Sequence, residues 1–240
     1  MSLNPISSQP IIKTKMKTSK VIFISLLSII ALFILASALD IRINSHRNGN
    51  LSNIKVNKQA IPIIKVLCVS NSKNIEIIRS DSTLIKASWL KDSLIPKEFY
   101  TIKNDTLMLS DLKRYVKIKI YANDSLKSIQ LKKSEITIET TVSTKLSLDL
   151  DRSYVWFNLK ESDKSSLKTL EIKAKNHSNI GSNSFKIDSL GIILQNSNAN
   201  LDLHAKKVSG TLSDSSRLNT RQPEEIWMKK DTTCTIYLYD

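Results

Sequence analysis

The stretch Leu190–Leu203 reads LGIILQNSNANLDL: an apolar run enters Gln-Asn-Ser-Asn, then apolar and polar positions alternate again. A helix accommodates this badly, because Asn and Ser compete for the backbone's hydrogen bonds. A tight hairpin would carry Asn-Gly or Asp-Gly at its centre, and neither pair is present. The pattern fits a strand (LGIIL), a corner (QNSN) and a second strand (ANLDL). Asn and Ser suit such a corner, since they tolerate left-handed backbone angles and bond to neighbouring main chain. In a stack of similar units they can also pair with the same position of the unit above.

The same layout recurs on both sides of this stretch. SIQLKKSEITI, LSLDLDRSYVWF, LKTLEIKAKNHSNI, VSGTLSDSSRLNT and EIWMKKDTTCTIYLY each place a few small or charged residues between two alternating runs. The last apolar residue of the first run falls at Leu131, Leu150, Ile172, Leu194, Leu212 and Met228, in steps of 19, 22, 22, 18 and 16. A period near 20 that drifts by a few residues is what stacked β-coils permit, because corners absorb insertions. Upstream, from Ile61, short runs with period-two alternation continue as IIKVLCV, NIEIIRS, STLIKASWL, FYTIKNDTLMLS and YVKIKIY. Asn104-Asp105 predicts a two-residue hairpin turn. The expected fold is therefore all-β, a β-solenoid over residues 61–240, with no soluble helix after Leu39. The alternative is a β-sandwich whose hairpins recur at similar spacing. Ser, Asn and Asp standing where hairpin glycines belong favour the solenoid.

The N-terminal part is different. Val21 to Leu39 is VIFISLLSIIALFILASAL, 19 residues without a charge. As a helix it would span about 28 Å, close to a bilayer core, and it is apolar on every face. Lys13, Lys15, Lys17 and Lys20 precede it, and no acidic residue occurs before Asp40. The positive-inside tendency keeps residues 1–20 cytoplasmic and sends the remainder across the membrane. The favoured reading is a retained signal anchor over Val21–Leu39. The alternative is cleavage after Ala38 in Ala36-Ser37-Ala38 and release to the periplasm. Residues 40–60 read as a polar stalk, with Asn44, Asn48, Gly49, Asn50 and Asn53 giving turns.

Charge invites a nucleic-acid reading that the distribution does not support. The formal net charge is +14, with Lys outnumbering Arg by 29 to 7. The charges are scattered through a chain rich in Lys, Asn, Ile and Ser, without an Arg-rich stripe or an RNA-binding aromatic motif. Nucleic acid is therefore not an expected partner. Cys68 and Cys234 are the two cysteines. They lack metal-ligand spacing and read as small buried residues, a single bridge between them remaining open.

At this point the layout resembles a known family: the auto-transporter adhesin head domains, also called GIN domains, frequent in Bacteroidetes envelopes. The pieces that carry the resemblance are IEIIRSDSTLIKAS and NDTLMLS, the latter where the family has an Asp/Asn-Gly-Thr-Leu turn. VKIKIYANDSLKSIQLKKSEITI and the coils to about Thr220 continue it. The resemblance spans about residues 61–240. It departs from the family at the corners, where Ser, Asn and Lys replace glycine. It implies an adhesin-like envelope module and supplies no catalytic residue.

Catalytic chemistry has few candidates. His46, His177 and His204 share no zinc-ligand spacing and lie in no nucleophile or metalloprotease motif. Asp149 and Asp151, two apart on a strand, would share a face, and paired acids of this kind serve polysaccharide-degrading β-helices. No second acidic pair stacks on them. Trp89, Trp156 and Trp227 could stack on sugars but sit in strand-like runs that suggest a partly buried role. No enzyme activity, cofactor or metal is expected. The expected function is a membrane-anchored, non-catalytic binding, adhesion or structural module. Its expected contacts are the lipid bilayer through residues 21–39 and acidic glycans, lipid headgroups or an envelope protein beyond it. A small polysaccharide-active enzyme using Asp149 and Asp151 is the alternative.

Overall fold

The computed structural model describes residue 23 and residues 25–35, 53–91, 99–139, 143–159 and 167–240. The chain divides into two units, Met1–Asn53 and Ile54–Asp240. In the first, Phe23 and residues 25–35 are helical and expose apolar side chains all round, among them Leu26, Ile30, Phe33 and Leu35. Among the described residues no helix is long and apolar enough to cross a membrane. Val21 and Leu39, the expected limits of the span, lie outside the described residues, as do the alternative cleavage site and His46.

The second unit is a single 17-stranded sheet. Most strands join one of two columns of parallel strands. Column A stacks β6 (Thr106–Ser110), β2 (Val66–Ser70), β8 (Ser128–Lys132), β10 (Lys145–Asp151) and β12 (Thr169–Lys175). It continues through the C-terminal halves of β13 (Asn179–Gln195) and β14 (Asn198–Ser213) to β16 (Glu225–Lys230). Column B stacks β7 (Lys117–Ala122), β3 (Ile75–Arg79), β9 (Glu135–Ile138) and β11 (Tyr154–Phe157). The N-terminal halves of β13 and β14 follow, then β15 (Arg217–Arg221) and β17 (Thr235–Tyr239). A column-A strand, a corner and a column-B strand make one rung.

Three pairings are antiparallel among the described residues, and all sit at the N-terminal end. Strand β5 (Tyr100–Lys103) lies on β6, β4 (Leu84–Leu90) on β7, and β1 (Ile54–Ala60) on β4. A sandwich would pair chain neighbours antiparallel throughout, and here only β5 and β6 do. Their link is the expected two-residue turn: Asn104 and Asp105 both have left-handed φ, 49° and 59°, as a type I′ turn requires. Residues 54–60, assigned above to the stalk, are instead strand β1, matched residue for residue to β4 from Ile54↔Leu90 to Ala60↔Leu84. The sequence hides this because every β1 side chain is exposed, so no burial pattern marks the strand. Within the described residues beyond Leu39, no α-helix occurs.

Inward side chains line up across rungs as continuous apolar ladders. In column A one runs Leu107, Leu67, Ile129, Leu148, Ile172, Ile192. In column B one runs Ile118, Ile75, Ile136, Val155, Ile180, Ala199, Leu218. All of these are buried, and removal of that surface from water at about 25 cal/mol per Å² is the main stabilising term.

The corners carry a second ladder. Ser72, Ser134, Ser153, Ser178, Ser197 and Ser216 are all buried. Each hydroxyl donates to a carbonyl two or three residues back, at 2.6–2.9 Å. Each also accepts a main-chain N–H from the adjacent rung at 3.1–3.3 Å, Leu112 donating at one end and Ser197 at the other. Inter-rung pairing at corners is thus realised, and it is serine that provides it. The ladder residues are preceded by residues with positive φ: Asn71, Lys133, Arg152, His177, Asn196 and Ser215.

The serines also correct the register. From Ser134 onward their spacing is 19, 25, 19 and 19 residues. Leu131, Leu150, Leu194 and Leu212 share one ladder as expected, but Ala174 and Lys230 occupy it where Ile172 and Met228 were expected. A slip of two preserves the face, so alternation cannot distinguish these choices. The corner decides them.

Candidate binding faces

Because side chains alternate across a strand, each column has an outward face set by the residues between its inward ladder positions. On column A the outward rows include Cys68, Met108, Gln130, Asp149, Lys173 and Ile193, and beside them Lys132, Asp151 and Lys175. All of these except Lys173 and Ile193 line a shallow cleft of about 480 Å³.

Asp149 and Asp151 do share this face, as the sequence indicated. Their neighbours on adjacent strands are Gln130 and Lys173 for Asp149, and Lys132 and Lys175 for Asp151. Asn176 Nδ2 donates to Asp151 Oδ1 at 2.9 Å and Arg152 Nε does so at 3.2 Å. The Asn176 hydrogen bond, with help from the Arg152 and Lys175 charges, holds the Asp151 carboxyl below its ordinary range. Acid–base catalysis by two carboxylates needs one of them kept protonated, and Asp151, held ionised, is not suited to be that one.

The histidines stand apart. His177 sits at its corner with φ 65° and Nε2 3.3 Å from Asn196 Nδ2. His204 is exposed on β14, in a cleft of about 490 Å³ with Lys186, Asp188, Lys206 and Glu224. Among the described residues no three His, Cys, Asp or Glu side chains group as metal ligands. Both cysteines are free thiols. Cys68 is half-buried, and burial raises its pKa. Cys234 is buried immediately before Thr235, which pairs with Arg217. It therefore takes the place in its corner that Ser216 takes in the preceding one.

Column B presents a different surface. Tyr154 and Trp156 point outward from β11, while Val155 and Phe157, which alternate with them, are fully buried. Trp156 pairs in register with Gly181 on the next rung. A Cβ at Gly181 would lie 2.3 Å from the Trp156 Cζ3 and 2.5 Å from Cε3, so the indole occupies the space above that glycine. Around it are amides joined along the stack. Asn183 Nδ2 donates to Asn158 Oδ1 and Asn158 Nδ2 to Glu139 Oε2, both at 2.9 Å. Asn198 Nδ2 donates to Asn179 Oδ1 at 3.3 Å. Farther along, Arg217 lies 6.0 Å from the Tyr237 ring centre and Arg221 5.9 Å from that of Tyr239, within cation–π range.

The three tryptophans therefore part ways. Trp89 packs against the core as expected. Trp227 is 68% exposed on β16, which corrects its partly buried reading. Its outward parity places it in line with Ser209, away from the apolar ladder. Trp156 is half-buried only because Gly181 lets it lie down. No periodicity signals that contact; its trace in the sequence is one of four glycines in an otherwise regular strand.

Comparison with solved structures finds similar chains. A Bacteroides fragilis protein described as a "putative adhesin" aligns with a TM-score of 0.55 at 11% identity, over 77% of this chain and 96% of its own. A "putative lipid binding protein" from Parabacteroides distasonis gives 0.49 at 13% identity, covering 79% and 98%. A "putative adhesin" from the same species gives 0.48 at 13%, covering 78% and 93%. At 11% identity the first likeness is one of fold, and fold alone does not carry activity. No family model and no curated protein matches the chain.

Proposed function

We propose that this chain is a non-catalytic binding or adhesion module of the cell envelope, a β-solenoid of the GIN-domain kind held at a membrane by the apolar segment Val21–Leu39. The observation that carries the reading is the pairing of two parallel columns in register, which builds long rigid outer faces. The fold shared with an adhesin-named protein supports it, and so does the all-round apolar exposure of residues 25–35. The orientation follows the lysines: residues 1–20 inside, the β unit outside. Column A, with Lys132, Lys173 and Lys175, faces acidic glycans, lipid headgroups or an acidic envelope protein.

Two measurements test this. Protease added to intact spheroplasts should digest the β unit or its tether; a chain left whole contradicts export. Envelope material captured by the full chain should be released as salt rises, since charges exposed to solvent are screened beyond about 10 Å at 0.1 M. Capture indifferent to both salt and Lys173→Glu removes column A from the reading. Turnover of a uronic-acid polymer that Asp151→Asn abolishes would replace the module by an enzyme.

A further inference from the structure

We propose that the outward face of column B is a binding site for a neutral glycan, with Trp156 as the platform and the surrounding asparagine amides as hydrogen-bonding partners. This rests on reading the chain as a binding module and adds a second face and a ligand class to it. A tryptophan at an outward position does no work for the core here, because Val155 and Phe157 are the buried members of its strand, each at 0% exposure. Its indole is nevertheless held in one place. It lies over the backbone of Gly181, in a space that any other residue's Cβ would fill. One side of the ring system is thus backed by protein, and a held aromatic costs little further entropy when a ligand stacks on it.

The surroundings select the ligand. Asn158 follows Trp156 by two residues, and Asn179 and Asn183 flank Gly181 by two on either side, so all three share its outward side. Asn179, Asn183 and Asn198 are exposed. Their inter-rung hydrogen bonds orient the amides in advance, and each amide group retains capacity to donate or accept beyond those bonds. None of the residues in this group is Lys or Arg, and the nearby Glu139 is already engaged by Asn158. A surface that pairs an apolar ring with neutral donors and acceptors matches a pyranose, which has an apolar C–H face and a rim of hydroxyls. Around Trp156 it offers no cation to a phosphate or carboxylate, which column A's lysines would take instead; Arg217 stands over Tyr237 only at the far end of the row. The same row continues from Gly181 through Asn200 and Asn219 to Tyr237. From Trp156 to Tyr237 there are four rung spacings of about 4.8 Å, about 19 Å in all, room for a chain of several sugars with a second aromatic at its far end.

The test uses the full chain in a detergent without a sugar headgroup, with Trp89→Phe and Trp227→Phe in place so that Trp156 is the sole reporter. Neutral gluco-, manno- and N-acetylglucosamine oligomers are titrated, alongside a uronic-acid oligomer. Expected is a saturable change in indole emission with at least one neutral oligomer, insensitive to salt. In the tryptophan-complete chain, followed by calorimetry, Trp156→Ala should weaken that binding at least tenfold and Asn183→Ala several-fold. Neither should move the urea midpoint appreciably, since both side chains lie outside the core. If no neutral oligomer binds at millimolar concentration, or if Trp156→Ala binds as well as the parent, the proposal is overturned. Salt-sensitive binding of the uronic-acid oligomer alone would overturn it while leaving the module reading intact. Absence of both kinds of binding, together with failed envelope capture, would remove that reading too.

Discussion

The two columns share a plan and differ in what they show to solvent. Both are parallel stacks with Leu, Ile and Val pointing inward, and each is closed by antiparallel strands at the same end. Outside, column A carries lysines interleaved with Asp149 and Asp151, whereas the middle of column B carries Trp156, Tyr154 and a group of asparagines, its charges lying toward the ends at Glu76, Lys117 and Lys119 and at Arg217 and Arg221. Inward positions are constrained by the ladder and have little freedom to differ. Outward positions are not, so the contrast between faces is where binding function can reside. The glycines repeat the contrast. Gly210 in column A has φ 149°, and a Cβ there would stand 1.7 Å from the Ile192 carbonyl oxygen. Gly181 in column B is required by a side chain, the Trp156 indole.

The largest effect is expected from emptying the shared interior. Phe157→Ala, which removes a ring buried against Phe185 at 5.7 Å between centroids, should cost about 3–5 kcal/mol in urea unfolding. Leu148→Ala in column A should cost about 2–5 kcal/mol. A loss below 1 kcal/mol at either site would mean that its column does not carry the core described. Next are the glycines. Gly210→Ala forces a Cβ into main chain and should lose about 2–3 kcal/mol. Gly181→Ala meets a ring that can swing away, and should cost less while shifting Trp156 emission toward that of a solvated indole. Equal losses at the two glycines would erase the distinction between a backbone constraint and a side-chain one.

Ser197→Ala tests the corner that both columns share. It leaves the buried Ser178 N–H without its acceptor, at about 1–3 kcal/mol. Ser197→Cys, after the example of Cys234, should recover part of that loss. The smallest effect concerns acid. Burial works against the Glu76 carboxylate on column B, but Lys117 and Lys119 donate to it and hold its pKa below the ordinary range. A depressed carboxyl contributes stability above its unfolded pKa of about 4.3 and loses it as pH falls through the lower folded value. Wild-type chain should therefore be destabilised by acid more steeply below about pH 4.3 than Glu76→Gln, by about 1 kcal/mol at most. Parallel stability curves for the two proteins in that window would show the contact to be energetically idle.

Much of this plan was legible in one dimension. Period-two runs indicated strands, and Asn104-Asp105 indicated its turn. Corner residues such as Asn196 and Ser197 announced themselves as left-handed or hydrogen-bonding types. Lys133 and Arg152 show the limit, since nothing in those residue types favours the positive φ they adopt. They hold it because the serine that follows each must reach both its own corner and the next rung. The order of the rungs was also hidden. β2 pairs with both β6 and β8, so the rung formed first in the chain lies inside the one formed by β6 and β7. Local patterns carry no information about which strand becomes the neighbour.

The amino-acid order by itself settled which side chains face inward and where the backbone turns, because both depend on residues within a few positions of each other. Register, the identity of stacked neighbours and the resting place of Trp156 on Gly181 were decided only in three dimensions. Alternation repeats every two residues and is indifferent to a slip of two. Contact between rungs joins residues 18 to 62 positions apart, where only the packed stack can choose among equivalent partners.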